Sequence, residues 1–291
     1  MTARAALPRR LLVRRLEQLR VGAGVTMDAA ASISVAKSTL WRIETGQPVR
    51  LNPVLLERLC QLYGPSPELT KMLLGLVEET KSKGWWHAYS DSIPKDYGFF
   101  VGLEDSAGHE ISFQTTFLPG LLHTPEYKHA QIWTEFPNKP PEDVERMLTV
   151  GIRRQDRIVD GEKPIRLDFL LDESVLRRVV GSRAVMADQM RHLAEIAQRP
   201  NVSIRVVPAS TGTYLGLIVD SFVLLEFPGH SKADLTMPTV VYILGFTGDL
   251  YLAKESEVSQ YRDVCADLRR RALDDEGTYA LILDLVEEYS A

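Results

Sequence analysis

The stretch Ser34–Gly46, SVAKSTLWRIETG, decides how the rest of the chain is read. Val35, Leu40 and Ile43 recur at helical spacing as an apolar stripe, with Ala36 near the start of the turn. Lys37, Ser38, Trp41, Arg42 and Thr45 fall on the other face. Gly46, two residues before Pro48, stops the helix. Glycine accepts the left-handed conformation, and proline cannot continue the hydrogen-bond ladder. A short helix whose outer face starts small and basic suits the DNA major groove. An ordinary amphipathic helix with solvated charges would look the same, so the neighbouring residues have to decide.

Upstream, Pro8–Val21 reads as a helix with Leu12, Leu16 and Leu19 on one face and arginines around the rest, ended by Gly22-Ala23-Gly24. Thr26 reads as the N-cap of a short alanine-rich helix over Met27–Ile33. Downstream, Asn52-Pro53 opens a helix carrying Val54, Leu55, Leu59 and Leu62, and Gly64-Pro65-Ser66-Pro67 breaks it. Glu68–Lys83 is expected to form a further amphipathic helix. The pattern predicts an all-α head of five helices over residues 1–83. Residues 1–62 hold ten Lys and Arg against four Asp and Glu, a net of +6, so the rest of the chain carries −11 of the total −5. A basic head on an acidic body is the charge footprint of a nucleic-acid module joined to something that should not adhere to phosphate.

The length of 291 residues allows two domains, and 45% hydrophobic with 25% charged residues is ordinary for a globular protein. No apolar run approaches the roughly 18 residues of a membrane span, and MTARAALPRR lacks the core of a signal peptide. Cys60 and Cys265 stand far apart without metal-ligand spacing and read as reduced core residues of a cytoplasmic protein. No metal, cofactor or membrane partner is expected.

Residues 9–63, above all STLWRIETG with the preceding LEQLRVGAGVT, resemble the Xre-type, phage-repressor-like helix-turn-helix domain. The resemblance implies that residues just inside the recognition helix and one turn later touch base edges: Lys37, Ser38 and Arg42. Thr39 in the same turn and Arg50 just past the helix complete the candidate set for double-stranded DNA. A homodimer is expected, since a single head reads few base pairs. The sequence departs from the family at Ala36, where a capping Ser or Thr is usual, and at Met27, where a phosphate-binding Gln is frequent. The Thr26–Arg42 spacing is also one residue shorter than the common pattern.

Residues 84–160 are expected to be an aromatic-rich, mostly helical segment: 85–136 hold eleven of the 23 aromatic residues. Most of these read as core or interface. The alternative is an aromatic pocket for an unknown small molecule or a partner, with Trp85, Trp86, Glu104, His123 and Tyr127 as its candidate residues and His109 a further polar group. Gly84-Trp85-Trp86, Leu103-Glu104, LPGLLHTPEY, RRQDR, LDESVLRRVVG and NVSIRVVP, in that order, resemble a domain of unknown function that trails an Xre head in actinobacterial antitoxin-like regulators. The resemblance covers most of residues 84–270 and implies transcription control, often beside a small partner protein encoded nearby. It implies no ligand and no catalytic residue. His123 is a departure, Gln being commoner there.

Residues 161–291 read as α/β, with strands at Ile165–Leu171, Val202–Val207, Phe222–Phe227 and Val240–Leu244 and helices at Ala184–Gln198, Glu255–Ala272 and Thr278–Tyr289. The first two strands and the helix between them form a βαβ unit. His230-Ser231-Lys232 is similar to the H-x-K of phospholipase D-type enzymes. The Asp that pattern needs five residues past the Lys is Met237, and Asp234 is too close. A phospholipase D-like fold without its catalytic residues is therefore one reading of this part. The sequence predicts a DNA-binding transcription regulator, not an enzyme, whose body senses a ligand or binds a partner. Antitoxin-like neutralisation of a small partner protein, with autoregulation, is the alternative.

Overall fold

The computed structural model describes residues 16–17, 19–31, 36–44, 53–65, 70, 73–74, 85–89, 92–93, 95–159, 164–229, 238–246, 249–253 and 255–291. They fall into two compact units, residues 1–87 and 88–291. Val35, Thr45, Gly46, Arg50, the turn before the recognition helix and His230-Ser231-Lys232 lie outside the described residues.

In the first unit, helical residues 16–17 and 19–22 lead into a tight glycine stop. Val25 N–H donates to Arg20 O (3.0 Å) and Gly24 N–H to Val21 O (3.0 Å), with Gly24 at φ +67°. These paired bonds and the positive φ make a Schellman cap, which glycine enters without steric penalty. Helix α1 (Met27–Ala31) follows, started by Thr26, whose Oγ1 accepts from Ala29 N–H at 3.1 Å. Helix α2 (Lys37–Glu44) and helix α3 (Pro53–Tyr63) complete the described part. Leu16, Ala30, Leu40, Ile43, Leu56, Leu59, Cys60, Tyr63 and Leu73 form one core. The buried stripe of α3 is Leu56, Leu59, Cys60 and Tyr63, at i, i+3, i+4 and i+7, with Leu55 and Leu62 at its margin. Val54, expected in the stripe, is 55% exposed. The fifth helix lies mostly outside the described residues; 70, 73 and 74 are helical and Leu73 is buried.

The second unit opens with helix α4 (Lys95–Ser106) and strand β1 (His109–Gln114), followed by α5 (Pro125–Glu135), α6 (Pro141–Arg153) and α7 (Asp156–Val159). Then come β2 (Arg166–Asp172), the single turn α8 (Ser174–Arg177), α9 (Arg183–Ile196) and β3 (Val202–Val207). Strands β4 (Phe222–Glu226), β5 (Val240–Ile243) and β6 (Leu250–Leu252) precede α10 (Glu255–Arg271) and α11 (Asp275–Ser290). The six strands form one sheet in the order β3-β2-β1-β4-β5-β6. The β1–β2 and β2–β3 pairs are parallel, and β1–β4, β4–β5 and β5–β6 are antiparallel. The expected βαβ unit is β2–α9–β3. The α/β expectation is corrected to a mixed sheet, half of it a meander. Nothing among the described residues supports a phospholipase D-like fold.

The aromatic-rich segment supplies β1, which sits inside the sheet and was not foreseen as a strand. One face of β1 puts Ile111 and Phe113 into a core closed by Val258, Val264, Cys265 and Leu268 of α10. The other face carries Glu110 and Ser112, also buried. At the amino end of β1 the His109 ring bridges two carboxylates, Nδ1 to Glu226 at 2.8 Å and Nε2 to Asp168 at 3.2 Å. Arg269 of α10 donates to Asp168 at 2.8 Å, tying that helix to the sheet. Burial opposes charge on His109, but its bonds to Asp168 and Glu226 win and raise its pKa above the ordinary value.

Candidate functional site

Helix α2 has one face in the core and one in solvent. Leu40, Ile43 and Glu44 are buried, Thr39 is half-buried, and Lys37, Ser38, Trp41 and Arg42 are exposed. Trp41 is 49% exposed. Ala36 occupies the cap: its carbonyl accepts from Thr39 and Leu40 N–H (2.8 and 3.1 Å), and its side chain has no oxygen to offer. Lys37 pairs with Asp28 of α1 at 2.6 Å, both well exposed, a pair of the kind worth about 0–1 kcal/mol. Moving Lys37 to a phosphate therefore costs little.

The helix is held by Arg20. Its Nε donates to both Glu44 oxygens (2.8 and 3.1 Å), Nη2 to Glu44 Oε2 (2.8 Å) and Nη1 to Val25 O (3.0 Å). One guanidinium thus joins the end of the leading helix, its glycine turn and the last residue of α2. Hydrogen bonding to Glu44 raises the Arg20 pKa further. The Tyr63 hydroxyl lies in the same interior and is pushed up to about 12, by burial first and then by Glu44. Both Glu44 oxygens are taken up by Arg20. This clamp was not anticipated; the signal was an Arg at the end of one helix and a Glu at the end of the next-but-one.

The five pocket candidates are divided between the units. Trp85 and Trp86 pack edge to face, centroids 6.0 Å apart, in the 3₁₀ turn Trp85–Tyr89, and both belong to the first unit. Glu104, His123 and Tyr127 are buried in the second. Helices α6 and α7 are separated at Arg154-Gln155, and both residues reach inward. Arg154 Nε donates to Glu104 Oε2 at 2.6 Å, Nη2 to the other Glu104 oxygen, and Nη1 to Tyr97 OH at 2.7 Å. Gln155 Nε2 donates to His123 O at 2.7 Å. Burial works against the Arg154 charge and Glu104 outweighs it, so its pKa stays well above the ordinary value. Glu110 stands beside this pair with Oε2 unpartnered among the described residues. Burial and then the Glu104 carboxylate push its pKa up, which keeps its proton on. His123 donates from Nε2 to Leu118 O at 2.7 Å and packs at a tilt against Tyr127, centroids 4.7 Å apart. Burial and Lys128 hold its pKa well below the ordinary value, so the ring is neutral.

An open cavity of about 590 Å³ lies elsewhere in the second unit, outside the carboxyl ends of β2 and β3. Its walls come from residues 172–178 and 208–217, including Asp172, Glu173, Arg177, Arg178, Tyr214 and Leu217. Asp172 accepts from Ser174 N–H at 2.9 Å through one oxygen and from Tyr214 OH through the other. Glu173 accepts from Ala209 N–H (2.8 Å) and from Arg177 Nε (2.5 Å). Burial raises the Glu173 pKa, but these donors outweigh it and the net shift is downward. Arg177 also reaches Glu288 of α11 at 3.2 Å. In parallel sheets, loops at the carboxyl ends of adjacent strands face a common crevice where ligands bind. The sequence signal was an Asp-Glu-Ser…Arg-Arg run straight after one strand of a βαβ unit, with a Tyr-bearing turn after the other.

Among the described residues no His, Cys, Asp and Glu cluster could hold a metal ion, and no helix is long and apolar enough to cross a membrane. Cys60 and Cys265 are free and buried. A helical head that presents one basic helix face, joined to a mixed α+β body, defines a helix-turn-helix protein. Residues 11–73 match the family described as a helix-turn-helix domain. The chain belongs to the family of the domain of unknown function DUF5753, which matches residues 97–284, more than half of its length. Neither a curated protein nor a solved structure matches it.

Proposed function

We propose that this protein is a sequence-specific, DNA-binding transcription regulator of Xre type rather than an enzyme, that it acts as a homodimer, and that its second unit senses a ligand or partner. One observation carries the reading. Helix α2 exposes Lys37, Ser38, Trp41 and Arg42 while its other face is buried and its end is clamped by Arg20. Phosphate contacts release counterions, so the logarithm of affinity should fall with log salt at about 0.9 per phosphate neutralised. Anisotropy of labelled duplexes selected from a random pool, across a salt series, tests this. Salt-independent binding, or no duplex enriched over the pool, overturns it. Sedimentation of the full chain tests the dimer, and a monomer at the concentration that saturates DNA counts against it. The acidic balance beyond residue 62 supports a second reading, neutralisation of a small basic partner protein with DNA binding as autoregulation.

A further inference from the structure

We infer that the cavity outside β2 and β3 binds a small amphipathic carboxylic acid, its carboxylate held by Arg178 and its apolar body lying over Leu217; this rests on the reading of the second unit as a sensor. The cavity's own carboxylates are occupied by the wall. Both oxygens of Asp172 take donors from Tyr214 and Ser174, and both of Glu173 take donors from Ala209 and Arg177. The single Tyr214 O–H is used on Asp172. Arg177 is shared between Glu173 and Glu288. Arg178 lines the cavity with no carboxylate partner among the described residues. A guanidinium is a fork of donors with no acceptor, so what the cavity lacks is a planar anion, and a carboxylate matches that fork. Two wall carboxylates close by oppose a doubly charged phosphate more than a singly charged acid.

The apolar half has its own evidence. Pro208, Ala209 and Leu217 line the cavity, and the loop that carries Leu217 exposes Leu215 at 41%, Leu217 at 57% and Ile218 at 79%. That loop is pinned at Gly216. A Cβ there would sit 2.4 Å from the Tyr214 ring and 2.6 Å from Phe113, so only glycine fits, and the flanking apolar side chains stand outward. A cluster of exposed large apolar residues beside a polar cavity is the mark of a binding site. The volume of about 590 Å³ falls within the range of roughly 300–1,000 Å³ usual for small-molecule sites. A carboxylate reaching Arg177 as well would compete with Glu288, giving the ligand a direct hold on the terminal helix α11.

The test uses the full chain, with octanoate and 3-phenylpropanoate as probes and octylamine, octanol, acetate and inorganic phosphate as controls, all below any micelle concentration. Calorimetry and thermal shift should show saturable binding of the two amphipathic acids and binding at least about tenfold weaker for the amine and the alcohol. Acetate and phosphate should not bind. Arg178→Gln should weaken octanoate by about tenfold while leaving the ligand-free melting midpoint unchanged, because no carboxylate loses a partner. Leu217→Ser should weaken octanoate but leave its preference over octylamine. Equal binding of octylamine, or unchanged octanoate affinity in Arg178→Gln, overturns the inference. Repeating the titration with bound duplex separates the two readings. Octanoate binding without any change in DNA affinity supports the site and removes the sensing role. DNA binding with no response to either acid removes the site and leaves the regulator.

Discussion

Each unit buries an arginine–glutamate pair, and the two pairs differ in how they are balanced. In the first, Arg20 and Glu44 meet one to one, and a further Arg20 donor goes to Val25 O. In the second, Arg154 serves Glu104 and Tyr97, and a further carboxyl, Glu110, stands beside them with an oxygen unpartnered among the described residues. A balanced pair is a fastener: it costs desolvation, gives back hydrogen bonds and fixes one geometry. A pair with surplus acid also fixes geometry, but its stability depends on where the surplus proton is. The fastener lies at the end of α2, the helix proposed to contact DNA. The proton-dependent cluster lies under the sheet.

The largest effects come from removing the arginines. Arg154→Ala strands Glu104 in the interior beside Glu110 and should cost about 3–5 kcal/mol of second-unit stability. Arg20→Ala leaves the Glu44 carboxylate buried and should cost a similar 3–5 kcal/mol in the first unit. The comparison sharpens in the readouts: Arg20→Ala should abolish DNA binding with the second unit still folded, as urea unfolding followed by far-UV dichroism would show. If Arg20→Ala melts like the parent protein, the fastener reading is wrong.

Smaller effects separate the two pairs by pH. Glu110 has a folded pKa above its unfolded value, so its contribution is fully present below the unfolded pKa near 4.5 and is lost as pH rises through the raised folded value. His109 has the same sign in a higher window, its contribution being lost as pH rises from 6.5 through its raised value. Asp168, held down by His109 once the opposing effect of burial is overcome, loses its contribution as pH falls below 3.8. Glu110→Gln should therefore flatten the decline of stability between mildly acidic and neutral pH, and His109→Gln the decline above it. The first unit should show neither slope. Denaturant midpoints across pH decide this, and an unchanged profile in Glu110→Gln removes the surplus-acid account.

The first unit was legible in the sequence because its helices repeat apolar residues at i, i+3 and i+4 and end at glycines whose backbone geometry the structure reproduces at Gly24 and Gly64. Strands β2 to β5 were legible as apolar runs between turns. β1 was not, although HEISFQ alternates, because its polar face is buried too and is made tolerable by Arg154 and Arg157 from some forty residues away. The cavity was hidden for a related reason. Its two loops are separated by a helix and a strand, and each looks like a solvated charge run until the other is brought beside it.

The smallest effect on stability should come from the exposed ion pair between Lys37 of α2 and Asp28 of α1. Lys37 and Asp28 meet at 2.6 Å, but their side chains are 60% and 73% exposed. Water screens such a pair, and holding two flexible side chains together offsets much of the attraction, so Lys37→Ala should change stability by less than about 1 kcal/mol. Its effect on DNA should be of another order. If Lys37 leaves Asp28 for a phosphate, Lys37→Ala lowers the salt slope by about 0.9 and weakens every duplex alike. If it reads a base edge, the slope stays and one position of the selected sequence relaxes. Arg42→Ala is the reference for base reading, expected to lose about 1–3 kcal/mol of discrimination at one position. Asp28→Asn completes the set by releasing Lys37 without deleting it. A pair that competes with DNA predicts tighter binding for that variant, most clearly at low salt. Weaker binding by Asp28→Asn would mean that Asp28 orients Lys37 for contact, and the surface pair would then be a positioning device like the buried one beneath it.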